Sequence, residues 1–212
     1  MKEKVILVGL KSLANKESFD ASMDELVELA KSAGAEVVSI VSQNSEPNPR
    51  TFIGSGKLKE IAEIADNMEI DTIIFNSELS GSQIKNLESI TGKKIIDRTN
   101  LILDIFATRA KTTEAVLQVS LAQAEYILPR LIGYGNQLSR TGGGIGTRGP
   151  GEQQLETDRR HIRSQISRIK KRLKDQEKTR ETRSKKRDDS DIPIVSIFGY
   201  TNVGKSTIMN RI

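Results

Sequence analysis

The chain has 212 residues, 36% of them hydrophobic, only 4% aromatic and none cysteine, which suits one large or two small domains around aliphatic cores and excludes disulfides and thiolate metal sites. His161 is the only histidine, which argues against an imidazole metal site. The net charge of +5 conceals an asymmetry: residues 159–187 carry 14 Lys/Arg against 3 Asp/Glu, an excess of +11, so the remainder carries −6.

An acidic body with a basic arm points to a polyanionic partner. No apolar run approaches the roughly 20 residues needed to span a bilayer, and the N-terminus lacks a signal-peptide pattern. A cytoplasmic monomer in a reducing compartment is expected.

Residues 1–98 alternate strand-like and helix-like segments. Val5 to Val8 is a continuous apolar strand. Asp20 to Ala33 follows as an amphipathic helix with Met23, Leu26, Val27 and Ala30 on one face and Gly34 as its stop. Val37 to Val41 is a second strand, followed by a polar loop through Pro47 and Pro49. Leu58, Ile61, Ala62, Ile64 and Ala65 mark a second helix, Thr72 to Phe75 a third strand, Ser80 to Ile90 a third helix ended by Gly92, and Lys94 to Asp97 a fourth strand. Strands separated by helices imply right-handed crossovers and a parallel sheet covered on both faces. A small α/β subdomain is expected over 1–98.

From Thr99 to Leu138 the sequence is helix-permissive almost throughout. Leu101, Ile105 and Phe106 can dock back on the sheet, and Ala115, Val119, Ala122 and Tyr126 form a seam at spacings of four and three. Pro129 should kink this helix rather than end it, because Leu131 and Ile132 continue the apolar pattern. A second seam runs through Leu155, Ile162, Ile166, Ile169 and Leu173. The two seams imply an antiparallel helical hairpin over 99–187. Residues 174–190 are nearly devoid of apolar side chains and read as a charged helix extension or a linker.

Between the helices, residues 139–152 form a loop with six glycines in the ten residues from Gly142 to Gly151. A flexible linker is one reading. The other is contact with RNA, because Arg140 and Arg148 flank Gly142, Gly143 and Gly144 at the tip of a helical arm. Bare backbone and guanidinium groups approach phosphates and base faces closely. The basic helix, with Arg159, Arg160 and Arg163, could be a solvated face, but its charge excess beside the glycine loop favours RNA.

Residues 188–212 bring a different chemistry. Gly199-Tyr200-Thr201-Asn202-Val203-Gly204-Lys205-Ser206 fits the phosphate-loop pattern G-x-x-x-x-G-K-[ST]. Ile194 to Phe198 reads as the preceding buried strand, and Thr207 to Arg211 as the start of the following helix. Such glycines let backbone N–H groups surround phosphates, with Lys205 on the β- and γ-phosphates and the Ser206 hydroxyl on Mg²⁺. The segments that distinguish ATP from GTP, and that would pair with the 194–198 strand, do not follow within the 212 residues, which end at Ile212. Poor ordering beyond about 190, or opportunistic packing on something else, is expected, because one strand and one helical turn bury little surface.

With these motifs together the chain resembles the HflX family of translation-associated GTPases. The resemblance rests on Ile96-Asp97-Arg98-Thr99, Leu103-Asp104-Ile105-Phe106, Leu128-Pro129-Arg130-Leu131, Arg148-Gly149-Pro150-Gly151-Glu152, Leu155-Glu156-Thr157-Asp158-Arg159-Arg160 and the loop from Gly199 to Thr207. It covers essentially the whole chain. It implies an α/β subdomain, a helical hairpin and the first strand and phosphate loop of a Ras-like GTPase domain. It also implies GTP and Mg²⁺ as cofactors and the large ribosomal subunit as partner, with the glycine-rich loop directed at its catalytic centre. Splitting or rescue of ribosomes under stress belongs to the same expectation, as does antibiotic resistance in some relatives. Gly199 to Thr207 would hold the nucleotide, with Val203 where many members have alanine. The family's switch residues would lie beyond Ile212. GTP hydrolysis is therefore expected of the intact protein and not of these 212 residues alone, and the catalytic residues are not assigned.

Two rival readings stand beside this one. The first is a non-enzymatic RNA-binding or protein-docking module with a vestigial nucleotide loop, and the second is an ATPase acting on RNA. Among weaker signals, Phe52-Ile53-Gly54-Ser55-Gly56-Lys57 reads as a turn capping the next helix, since Leu58 stands where Mg²⁺ would need a hydroxyl. Asp97, Asp104 and Glu114 form no evident acid pair, and Asp97 with Arg98 reads as an ion pair at a strand end.

Overall fold

The structure, a computed structural model, describes residues 3–14, 16–138, 150–188, 197–199, 204–209 and 211. It divides into two compact units, residues 1–173 and 174–212.

The first unit opens with β1 (Lys4–Lys11), α1 (Phe19–Ser32), β2 (Glu36–Asn44), α2 (Ser55–Asn67), β3 (Thr72–Phe75), α3 (Gly81–Thr91) and β4 (Lys94–Asp97). The strands form one parallel sheet in the order β2-β1-β3-β4. This is the α/β architecture expected from the alternation of elements. The central strands β1 and β3 are continuous apolar runs because both of their faces are covered.

One face packs Ile6, Val8, Ile73 and Phe75 against Leu58 and Ile61 of α2 and Leu87 of α3. The other packs Val5, Leu7 and Ile74 against Met23 and Leu26 of α1. Gly9 allows α1 to come close, since a Cβ there would lie 2.5 Å from Met23 Sδ and 2.8 Å from the Phe19 ring. Both β1 and β2 run beyond their apolar cores. Their pairing continues through Gly9↔Ser42 and Leu10↔Gln43 to Lys11↔Asn44, with Leu10 still in the core and polar partners on β2, because the ladder is made by backbone and not by side chains.

The helix-permissive stretch after Thr99 is two helices, α4 (Arg98–Arg109) and α5 (Thr113–Leu138). Ala110 adopts an extended conformation, and the Thr112 hydroxyl accepts from Ala115 N at 3.1 Å, so a cap restarts the helix. Leu101 and Ile105 dock on the sheet as expected, whereas Phe106 is exposed. α5 packs on α3 and α4 and runs through Pro129 without ending.

The last long helix, α6 (Pro150–Asp188), starts on proline, a residue preorganised for the first helical position. It continues past Leu173 into the second unit, so residues 174–188 are a helical extension. Also in that unit, α7 (Lys205–Met209) begins within the last two residues of the sequence's phosphate-loop motif. Among the described residues no helix is long and apolar enough to cross a membrane.

Candidate nucleic-acid interface and nucleotide loop

The basic helix presents its charge outward. Its buried side is a stripe of Leu155, Arg159, Ile162, Ile166, Ile169 and Leu173 at alternating steps of four and three, with Ile169 the most enclosed. Lys170 Nζ of α6 meets Glu125 Oε1 of α5 at 2.8 Å, which joins the two helices of the arm. The stripe sends Arg160, Arg163, Arg168, Lys171 and Arg172 to the solvent. Arg159 sits differently from its neighbours: it lies on the stripe, its guanidinium is partly covered, and it approaches Glu156 at 4.0 Å.

On α5 the deepest residues are Leu117 and Ala124. The expected seam of Ala115, Val119, Ala122 and Tyr126 is only half-buried. α5 packs on both α3 and α4 and meets α6 through the Lys170–Glu125 pair, so its burial does not follow one seam. Arg140, Gly142, Gly143, Gly144 and Arg148 lie outside the described residues.

Where α5 meets the α/β subdomain, one carboxylate gathers several donors. Asp97 ends β4 and is completely buried. Its Oδ1 accepts from Asn100 N at 2.8 Å, capping α4. Its Oδ2 accepts from Leu79 N at 3.1 Å and from Arg130 at 3.3 Å. Arg130 also reaches Glu78 at 2.8 Å, and its guanidinium stacks 3.5 Å above the Tyr126 ring.

The ion pair expected between Asp97 and Arg98 is not formed. Consecutive residues at a strand-to-helix turn point apart, and Arg98 instead bonds Ser22 Oγ at 3.1 Å, Asn76 Oδ1 at 2.9 Å and Glu25 Oε2 at 2.6 Å. Burial pushes the ionisation of the Tyr126 hydroxyl far above its ordinary range, and its hydrogen bond to the Asp97 carboxylate raises it further. Sequence reasoning missed this junction. Its visible signals were a proline inside a helical pattern and an arginine one turn after a tyrosine.

In the second unit, Gly199, Gly204, Lys205, Ser206 and Thr207 fall among the described residues, and Tyr200, Thr201, Asn202 and Val203 outside them. Gly204 has φ +86°, a left-handed conformation that favours glycine. Lys205 begins α7, and its Nζ donates to Gly199 O at 2.8 Å, so the ammonium reaches back to the first residue of the motif. Ser206 is the second residue of the helix.

A lysine ammonium, a glycine with positive φ and a serine at the next position are a donor set that suits phosphate and Mg²⁺. The preceding strand was expected over 194–198. Ile194 to Ser196 lie outside the described residues, and so does most of the tail beyond about 190 whose order was in question. Ile212, beyond which the switch residues were expected, lies outside them too. Ile197 and Phe198 form no strand and are exposed, Phe198 by 91%. No strand among the described residues pairs with them.

The turn at Phe52 to Lys57 leads into α2 with Gly54 as N-cap, its N–H bonded to Gln43 Oε1 at 2.9 Å. Leu58 is core and Lys57 pairs with Glu60 at 2.7 Å. Among the described residues, no group of His, Cys, Asp and Glu could hold a metal.

Comparison with known proteins places these features in a family. Residues 20–107 match the family described as GTP-binding GTPase N-terminal, and residues 109–187 match the GTP-binding GTPase Middle Region. The chain is 53% identical over 212 residues to GTPase HflX of Caldanaerobacter subterraneus subsp. tengcongensis, covering 100% of this chain and 49% of that protein.

Among solved structures it is similar to SsGBP in complex with GDP, with 26% identity, a TM-score of 0.62 and coverage of 99% of this chain and 55% of that one. It is also similar to a GTP-binding protein from the hyperthermophilic archaeon Sulfolobus solfataricus in complex with GDP, with 25% identity, a TM-score of 0.56 and coverage of 99% and 52%. The chain spans about half the length of the curated relatives it matches. Two adjoining family regions and whole-chain similarity to its members agree: the chain belongs to the HflX family of GTP-binding proteins.

Proposed function

We propose that the intact protein binds and hydrolyses GTP and docks on the large ribosomal subunit through ribosomal RNA, with these 212 residues supplying most of the RNA contact. The observation that carries this reading is the outward basic face of α6 on an arm that leads to the glycine-rich loop. Arg160 and Arg163 on that face, with Arg140, Gly142, Gly143, Gly144 and Arg148 in the loop, are the proposed contacts. Arg159, partly covered on the seam and beside Glu156 of the same helix, is the weakest of the proposed set.

Domain limits follow the same division of labour: an α/β subdomain over 1–98, the arm over 99–187, and a linker with the start of a GTPase domain over 188–212. Gly199 to Thr207 would hold the nucleotide, with Lys205 neutralising the β- and γ-phosphates and Ser206 ligating Mg²⁺, which would supply charge neutralisation at the γ-phosphate. The switch residues that complete hydrolysis would come from sequence beyond Ile212. GTP would then set affinity for the subunit, as γ-phosphate contacts do by ordering switch segments. Splitting or rescue of stalled ribosomes by a cytoplasmic monomer is the physiological task this arrangement suits.

The test uses the intact protein. Guanine nucleotide should displace a labelled GTP analogue at far lower concentration than ATP does, and large subunits should stimulate hydrolysis. Equal displacement by ATP, or nucleotide binding with no response to subunits, contradicts the reading.

A further inference from the structure

Pro129 leaves α5 one backbone bond short. Proline has no N–H, so nothing at position 129 donates to the carbonyl of Glu125 four residues earlier, and such positions bend. The segment beyond it is weak as well. Leu131 to Leu138 holds Gly133 and Gly135, each costing about 1 kcal/mol of helix propensity relative to alanine. That segment leads directly into the glycine-rich loop. Its direction therefore rests on a turn with one backbone bond fewer than the rest of the helix.

The turn is held from outside. Arg130 NH1 donates to Tyr126 O at 2.9 Å, adding a side-chain bond across the turn that contains Pro129. Arg130 NH2 reaches Glu78 at 2.8 Å and the buried Asp97 at 3.3 Å, both in the α/β subdomain. The backbone lies hard against α3, since a Cβ on Gly81 would come within 2.2 Å of Arg130 O. The guanidinium rests on the Tyr126 ring, and its Nε is enclosed without a partner. Only a planar fork spans these partners at once, and a lysine ammonium cannot.

We infer that Arg130 is a positioning residue that braces α5 at Pro129 and so aims the loop-bearing end of the arm relative to the α/β subdomain. The inference goes beyond the proposed function and holds whether or not the loop meets RNA, because the brace is internal to the chain.

The absence of cysteine permits the test. Spin labels are placed on the full 212-residue chain at Ser89→Cys in α3 and Gln137→Cys near the end of α5, and the distance distribution is measured by pulsed electron resonance. The unsubstituted background should give a narrow distribution. R130A should broaden it, and R130K, which keeps the charge and guards against misfolding, should broaden it too. Adding P129A to R130A restores the N–H at 129 and should narrow the distribution again, a rescue that general destabilisation would not show. Unchanged distributions in both R130A and R130K overturn the inference, as does failure of P129A to narrow the R130A distribution.

Discussion

Asp97 and Arg130 stand 33 residues apart in sequence and 3.3 Å apart in the folded chain, and their contact ties the sheet to the arm. The same carboxylate caps α4 and receives the N–H of Leu79. Removing it would leave two backbone donors unpaired and the mostly buried Arg130 guanidinium with only Glu78 and Tyr126 O. D97A should lower stability by about 3–5 kcal/mol, the scale of breaking a buried ion pair by deleting one partner. D97N, which keeps acceptor oxygen but not charge, should cost less. Urea denaturation of the variants checks both, and a D97A chain as stable as the parent would show that the carboxylate does not hold the junction.

Gly81 tests the same junction from the backbone side. A methyl group there meets the main chain at Arg130 rather than a yielding side chain. G81A should cost about 1–3 kcal/mol as overpacking, although alanine is the better helix former. A thermal melt at or above that of the parent would mean that α3 and α5 can separate without loss.

Tyr126 should remain protonated in alkali as long as the chain is folded, because burial and the Asp97 carboxylate both oppose its ionisation. Followed by ultraviolet absorbance, one of the three tyrosines should ionise only as the protein unfolds. Y126F should remove that delayed step. Simple titration of all three in the folded chain contradicts the geometry.

Asp104 gives a pH dependence of defined sign. Burial raises its pKa above the ordinary 3.8, with Lys94 opposing and Glu3 reinforcing. A carboxyl with a higher pKa folded than unfolded binds extra protons in the folded state. Its stabilisation is therefore present below the unfolded value and is lost as pH rises through the folded one. D104N should be more stable than the parent at neutral pH, with the difference closing as pH falls through the raised folded-state value and gone well below the ordinary 3.8. A gap that persists unchanged into acid would show that ionisation is not the cause.

Much of the sheet was legible because β1 and β3 are buried on both faces and so read as unbroken apolar runs, with β3 and β4 spanning the residues expected. The ends of β1 and β2 were not legible, since Gly9 interrupts the apolar run before the buried Leu10, and Gln43 and Asn44 pair through backbone that leaves no side-chain signature. The break between α4 and α5 escaped a reading based on helix-permissive composition, although Thr112 carried the capping signal. Asp97 found Arg130 rather than Arg98 because that choice is made by tertiary packing, which periodicity within one segment does not encode. In the arm, the α6 stripe followed from spacing alone, yet Arg159 entered it as a seam residue where composition had grouped it with the solvent-facing arginines.

The central claim, that this chain carries the RNA contact, is tested most directly by co-sedimentation with purified large ribosomal subunits, without nucleotide, at low and high salt. The account predicts binding at low salt that falls steeply as salt rises. It also predicts that R160A with R163A weakens binding and flattens that dependence, by about one unit of slope for each phosphate no longer neutralised. No binding at low salt, or binding indifferent to salt, would contradict it.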